Sequence, residues 1–329
     1  IITSNGGDIT LGGAIVGLQD LFLDAGAGVI SLQAVGGTTD PTRVTITAAS
    51  QLILNSDIES SGAVNLNVSD LTSTTLTDDV TITGVGVALG AVSGPHDLIL
   101  DGTDDAVGVD SGSIGSLTVR DASTVTFAEP FSTTGNVTVS DDITDTVAVS
   151  VGAVLAAGGD LNLTSAGDVT VSAAVSAAGA TTLDSTAGTL DINANVGGGS
   201  IALDGAANIT LNDVHIHATS GDITVSDSLD LDSGAAAGAT FTSDGGDITF
   251  TNAVDADAAG TESIIVNALG GTVDFQAAVG ATALGGITIN AKASGFDSTV
   301  ATDDTTGTGD ILVQGTGNTH TIAGNVTTG

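Results

Sequence analysis

"FTSDGGDITF" (residues 241–250) repeats "ITSNGGDITL" (residues 2–11), differing only by Phe241 for Ile2, Asp244 for Asn5 and Phe250 for Leu11. Each change keeps its chemistry: apolar for apolar, short polar for short polar. The match continues in order. "DITLGGAIVG" (8–17) returns as "DITFTNAVDA" (247–256), "VISLQAVGGTT" (29–39) as "TVDFQAAVGAT" (272–282), and "VTITA" (44–48) as "ITINA" (287–291). Blocks 2–48 and 241–291 are therefore related. Between them shorter versions recur: "GDLNL" from 159, "GDVTV" from 167, "GDITV" from 221, and later "GDILV" from 309. Self-similarity of this kind is the mark of a repeat array.

Each unit is a short alternating run. In "DVTVS", Val169 and Val171 point one way, Asp168 and Thr170 the other; Ile201/Leu203, Ile209/Leu211, Ile223/Val225 and Ile287/Ile289 follow suit. Period-two alternation of β-branched residues predicts half-buried strands. The links between them ("SAG", "GAAN", "TSG", "SDGG") are turn chemistry. No 3.6-residue apolar stripe predicts a helix. The expected fold is all-β: a parallel β-solenoid over residues 1–329, a right-handed β-helix of short repeats forming an elongated rod. Coils of roughly 20 residues stacked about 4.8 Å apart give about 16 coils and about 80 Å. A string of antiparallel sandwiches is the rival, but it calls for longer strands and aromatic anchors. Ile9, Leu11, Ile248 and Phe250 are expected inside, and the two long copies at equivalent places in the coil.

Composition narrows the function. The chain has 41% hydrophobic residues, enough to fold rather than remain disordered, yet no Trp, no Tyr and seven Phe, so the core must be thin and regular. It has no Cys, which excludes disulfides and thiol chemistry. The absence of Met, even at position 1, suggests a processed product or an internal piece of a longer chain. No run of 18 apolar residues appears, so no membrane insertion is expected. The net charge is −36, with Arg43, Arg120 and Lys292 the only basic residues. Nucleic acid is excluded as a partner, because phosphate recognition needs clustered Lys and Arg. Nearly all the acid is Asp, which suits turns and strand starts, where a short side chain bonds the backbone.

The order of these motifs resembles the large β-strand-repeat proteins of bacterial surfaces, including filamentous-haemagglutinin-like adhesins. The resemblance covers most of the chain in style and blocks 2–48 and 241–291 in motif. It implies a right-handed parallel β-helix, secretion across a Gram-negative outer membrane, and an adhesive or matrix role outside the cell. The family's N-terminal secretion module and any receptor-binding insert are not among these residues. Expected partners are other copies, end to end, or neighbouring segments of the parent chain, and host or cell-surface glycans.

Candidate chemistry is sparse. β-Helix polysaccharide enzymes need converging carboxylates, usually with basic groups and aromatic platforms; with so few of the latter, no catalytic residue is expected. "HIH" at 215–217 puts His215 and His217 on one strand face, with Asp213 nearby. This is metal-like spacing lacking a third or fourth ligand, or simply two solvent-facing histidines beside inward Val214 and Ile216. No cofactor is required. Calcium is the ion that the acid pairs Asp104/Asp105, Asp141/Asp142, Asp255/Asp257 and Asp303/Asp304 would take with hard oxygens, although the Gly-rich calcium nonapeptide is missing. The alternative is a solvated acidic surface that keeps rods apart. Thr45/Thr47, Thr81/Thr83 and Thr124/Thr126 suit a flat outward ladder, as in ice-binding solenoids, or exposed strand positions.

Overall fold

A computed structural model describes residues 1–67, 71–140, 148–232, 238–303, 310–315 and 319–328. Among the described residues all regular structure is strand, forty in number. The β-solenoid expected from the repeats is what forms, with every registered strand pair parallel. The chain divides into two compact units, Ile1–Asp160 and Leu161–Gly329.

In the second unit each coil lays strands on three faces. One face stacks Leu161–Ser165, Thr181–Ser185, Ile201–Gly205, Ile223–Val225 and Ile248–Phe250. A second stacks Val169–Val171, Thr189–Ile192, Asn208–Leu211, Leu229–Leu231 and Val254–Ala256. The third stacks Val175–Ala177, Val196–Gly198, His215–Ala218 and Gly238–Ser243. The first unit repeats the plan. Ile2–Thr3, Leu21–Asp24, Val44–Ala48 and Val64–Leu66 share one face; Ile9–Leu11, Val29–Leu32, Gln51–Leu54 and Thr74–Leu76 share the next; Ile58–Glu59 and Val80–Thr83 lie on the third.

Coil length varies more than the repeat suggests. Leu161 pairs with Thr181, twenty residues on, but Ile223 pairs with Ile248, twenty-five on. The extra residues sit in corners, where a loop lengthens without disturbing the faces. Some strands also run round a corner: in Ser263–Phe275, Ser263–Ala268 pairs with Gly238–Ser243 and Val273–Phe275 with Ile248–Phe250.

Alternation puts one apolar residue in every two inside, so in-register stacking makes continuous columns. One column runs Leu163, Leu183, Leu203, Val225, Phe250, Phe275, Phe296, all buried. Phe250 and Phe275 stack at 4.6 Å between centroids and Phe275 and Phe296 at 4.8 Å, with rings within 5° of parallel. Those spacings match the roughly 4.8 Å between strands, so the ladder sets the stack. Small residues fill one corner column, Ala218, Ser243, Ala268 and Ala291. The Ser243 hydroxyl, itself buried, accepts the Gly246 N–H and donates to the Gly221 carbonyl, both at 2.8 Å, so its own hydrogen-bonding groups are satisfied where it tethers the turn. Gly238 permits the closest approach: a Cβ there would lie 1.5 Å from the Ser263 carbonyl oxygen.

The two long copies both run from a strand, through a corner, into the next strand. Ile248, Phe250 and Ile9 are buried as expected. Leu11 is only half-buried, because its described neighbour, Leu32, covers it from one side.

Candidate functional site

The repeated Asp of "GDIT" has a definite task. It sits just before a strand, and its carboxylate accepts the backbone N–H of the residue in the same place on the next coil. Asp8 takes the N–H of Val29 at 2.9 Å, Asp57 that of Thr81 at 2.7 Å and Asp79 that of Asp97 at 3.0 Å. Asn136 takes that of Asp160 and Asp168 that of Thr189, each at 2.9 Å. Asn195 accepts from His215 at 2.9 Å, Asp222 from Asp247 at 2.8 Å, and Asp247 in turn from Thr272 at 2.7 Å. Asn serves as well as Asp, so the acceptor oxygen is what the position requires. Glu would overshoot by a methylene. The Thr189 backbone and hydroxyl bonds hold the Asp168 carboxyl below the usual carboxylate range.

Acids within strands behave differently. Asp184 and Asp204 are register partners on adjacent coils, and the Asp204 carboxyl shares a hydrogen bond with Asp227. That bond, then burial, then the charges of Asp227 and Asp184, push Asp204 up to about 6. Burial also pushes Asp184 up. This column was not foreseen, since the residues meet only through the coil register.

The histidines face outward, each half-buried, with Val214 and Ile216 inside. Their rings are stacked, with centroids 5.4 Å apart and planes 8° from parallel. Both turn their Nε2 edges to the following coil: His215 Nε2 lies 3.0 Å from Thr242 Oγ1 and His217 Nε2 3.2 Å from Asp244 Oδ2. The acid beside them is thus Asp244, twenty-seven residues from His217, while Asp213 is an exposed turn residue with φ of 51°. Burial, then the charge of His217, pull the His215 pKa down against the opposing charge of Asp244.

Of the acid pairs, Asp141, Asp142 and Asp304 lie outside the described residues. Asp104 and Asp105 sit at a bend in the strand Leu98–Val109, where Thr103 and Asp104 have φ of 41° and 67°. There Asp105 accepts the N–H of Ala106 at 2.7 Å. Asp303 donates its N–H to the Leu284 carbonyl at 2.9 Å. Asp255 accepts from the Thr282 N–H at 3.1 Å and, with Asp257 and Asp230, lines a hollow of about 350 Å³ that Asn208, Ser228 and Thr282 complete. Burial and then the charges of Asp257, Asp232 and Asp255 push Asp230 up. Among the described residues, no three His, Cys, Asp or Glu side chains are already gathered as a metal site.

The threonine pairs do not form one flat ladder. Thr45 and Thr126 share a row, but Asn65, Ala88 and Gly108 separate them, and Thr81 and Thr83 lie on another face. No helix of the described residues is long and apolar enough to cross a membrane.

No protein-family model matches the chain, nor does any curated protein or solved structure.

Proposed function

We propose that the chain is a structural stalk or fibre component of a bacterial surface or extracellular matrix, an adhesin shaft or filament subunit without catalysis. The observation that carries this is the recurring bond from the Asx before a strand to the N–H of the next coil, from Asp8 to Asp247. It repeats on different faces and in both units. A chain that spends its commonest acid joining coil to coil gains stability per coil, so duplication lengthens it cheaply. Its net charge of −36 opposes side-by-side bundling at low salt, and divalent cations reverse that opposition. Secretion, end-to-end association and weak contact with glycans follow from this reading.

The Asp230–Asp255–Asp257 hollow favours a second reading, a calcium- or glycan-binding module on the same scaffold. Electron microscopy with glycan-array and calcium-binding measurements separates the two. Extended particles or filaments with weak, non-saturable glycan binding are expected. Globular monomers with one saturable ligand site would overturn the stalk. Turnover of a polysaccharide, abolished by changing one carboxylate pair, would replace both readings with a β-helix enzyme.

A further inference from the structure

We propose that His215 and His217, with the Asp244 carboxylate, bind one divalent transition-metal ion of the zinc or copper(II) class. Three features converge. The i, i+2 spacing on the strand His215–Ala218 puts both imidazoles on the outer face. Their rings, 5.4 Å apart and nearly parallel, already lean closer than the roughly 6.6 Å rise over two strand residues. Both Nε2 atoms turn to the next coil, where Asp244 Oδ2 stands 3.2 Å from His217 Nε2.

Two imidazole nitrogens and a carboxylate oxygen form a borderline donor set that zinc and copper(II) accept and that calcium, an oxygen-seeking ion, does not favour. Metal–nitrogen bonds of about 2.0 Å bring the two Nε2 atoms to about 3–4 Å of each other. The rings therefore close by a further ångström or two, a movement open to side chains on an outer face. Binding breaks the His217–Asp244 and His215–Thr242 hydrogen bonds and forms three bonds to the metal in their place, Thr242 turning to solvent and water filling the remaining positions. Asp244 is also one of the three differences between the ten-residue stretches 2–11 and 241–250, standing where the other has Asn5. The anionic ligand thus belongs to the copy that follows the histidines.

The experiment is a zinc titration by calorimetry on the whole chain, with excess calcium present to saturate the acidic surface. One saturable equivalent is expected. His215→Gln and His217→Gln, with folding checked by circular dichroism, should each weaken binding about tenfold or more, Asp244→Asn less, and His96→Gln not at all. In the unaltered protein, copper(II) should broaden the imidazole resonances of His215 and His217 before those of His96 and His320. Zinc uptake that calcium abolishes, or that survives both histidine changes undiminished, overturns the proposal, as does equal broadening of all four histidines.

Discussion

Asp247 offers the sharpest test of what the repeated "GDIT" is for. Its carboxylate accepts the Thr272 N–H at 2.7 Å and the Thr272 hydroxyl at 3.0 Å, while its own N–H donates to Asp222 at 2.8 Å. Asp247→Ala removes two bonds to a charged acceptor and leaves the backbone ladder intact. Such bonds contribute about 1.5–3 kcal/mol each when sheltered. These are exposed, so water takes over most of the loss, and removing one carboxylate eases repulsion from Asp222. The net loss should be about 1–2 kcal/mol, equivalent to about 2–8 °C in Tm for a unit of this size. Asp247→Asn keeps an acceptor oxygen at the same reach, as Asn136 and Asn195 do naturally, and should stay within about 0.5 kcal/mol of the original. Asp247→Glu should resemble Ala. Thermal and urea unfolding followed by circular dichroism would measure all three. If Asn destabilises as much as Ala, charge rather than the coil-to-coil acceptor is what matters, and the reasoning fails.

Phe275→Ala removes the middle ring of the Phe250–Phe275–Phe296 stack and should destabilise the second unit by about 3–5 kcal/mol, read from urea unfolding. Thr74→Val should stabilise by about 1 kcal/mol, because the Thr74 hydroxyl, between Leu52 and Val92 in its column, is buried with no hydrogen-bond partner among the described residues. Asp204, raised to about 6, favours folding fully below the unfolded carboxylate value near 3.8 and loses that contribution as pH rises through about 6. Screening at this partly exposed site leaves on the order of 1 kcal/mol, so Tm should rise modestly from pH 7 to pH 5, and Asp204→Asn should flatten the rise.

What could be read from the sequence was what is local. Period-two alternation in "DVTVS" or "GDITV" names its own inward residues, and Val169, Val171, Ile223 and Val225 are all buried. Repetition of near-identical strands then makes parallel stacking the natural outcome, because like residues pair with like. Coil length was less legible, since corners absorb extra residues without altering either flanking strand. That uncertainty hides every contact between coils. Asp204 meets Asp227, and His217 meets Asp244, only once the register is known. The same gap made Asp213 look like the neighbour of the histidines when it is a corner residue of their own coil. Asp104 and Asp105, an acid pair in the sequence, bend a strand that continues through them, paired before and after the bend.

The register also explains how so acidic a chain stays folded. A parallel stack of near-identical coils sets each residue about 4.8 Å from its counterpart, so an acid repeated at one place within a strand, coil after coil, would build a column of like charges. Asp204 shows the consequence in part: its hydrogen bond with Asp227 and burial come first, but the charges of Asp227 and Asp184 also push its carboxyl up, while burial alone raises Asp184. Just before a strand the same spacing works in favour of the acid. The counterpart one coil on presents a backbone N–H, and the carboxylate turns to it, as Asp168 does to Thr189 and Asp222 to Asp247. Asp168 is accordingly held in its charged form. Acid in the corners is therefore tolerated coil after coil, whereas acid in the faces is limited to short runs. Lengthening such an array by duplication should preserve "GD" before strands and scatter the Asp within them. An engineered chain carrying Asp at paired outward positions of adjacent coils, Asn162→Asp with Thr182→Asp, should lose stability above pH 6 and regain it on acidification. A chain given the same number of extra acids in place of Asn136 and Asn195 should not. Equal pH dependence in the two would show that net charge alone, rather than its place in the coil, governs stability.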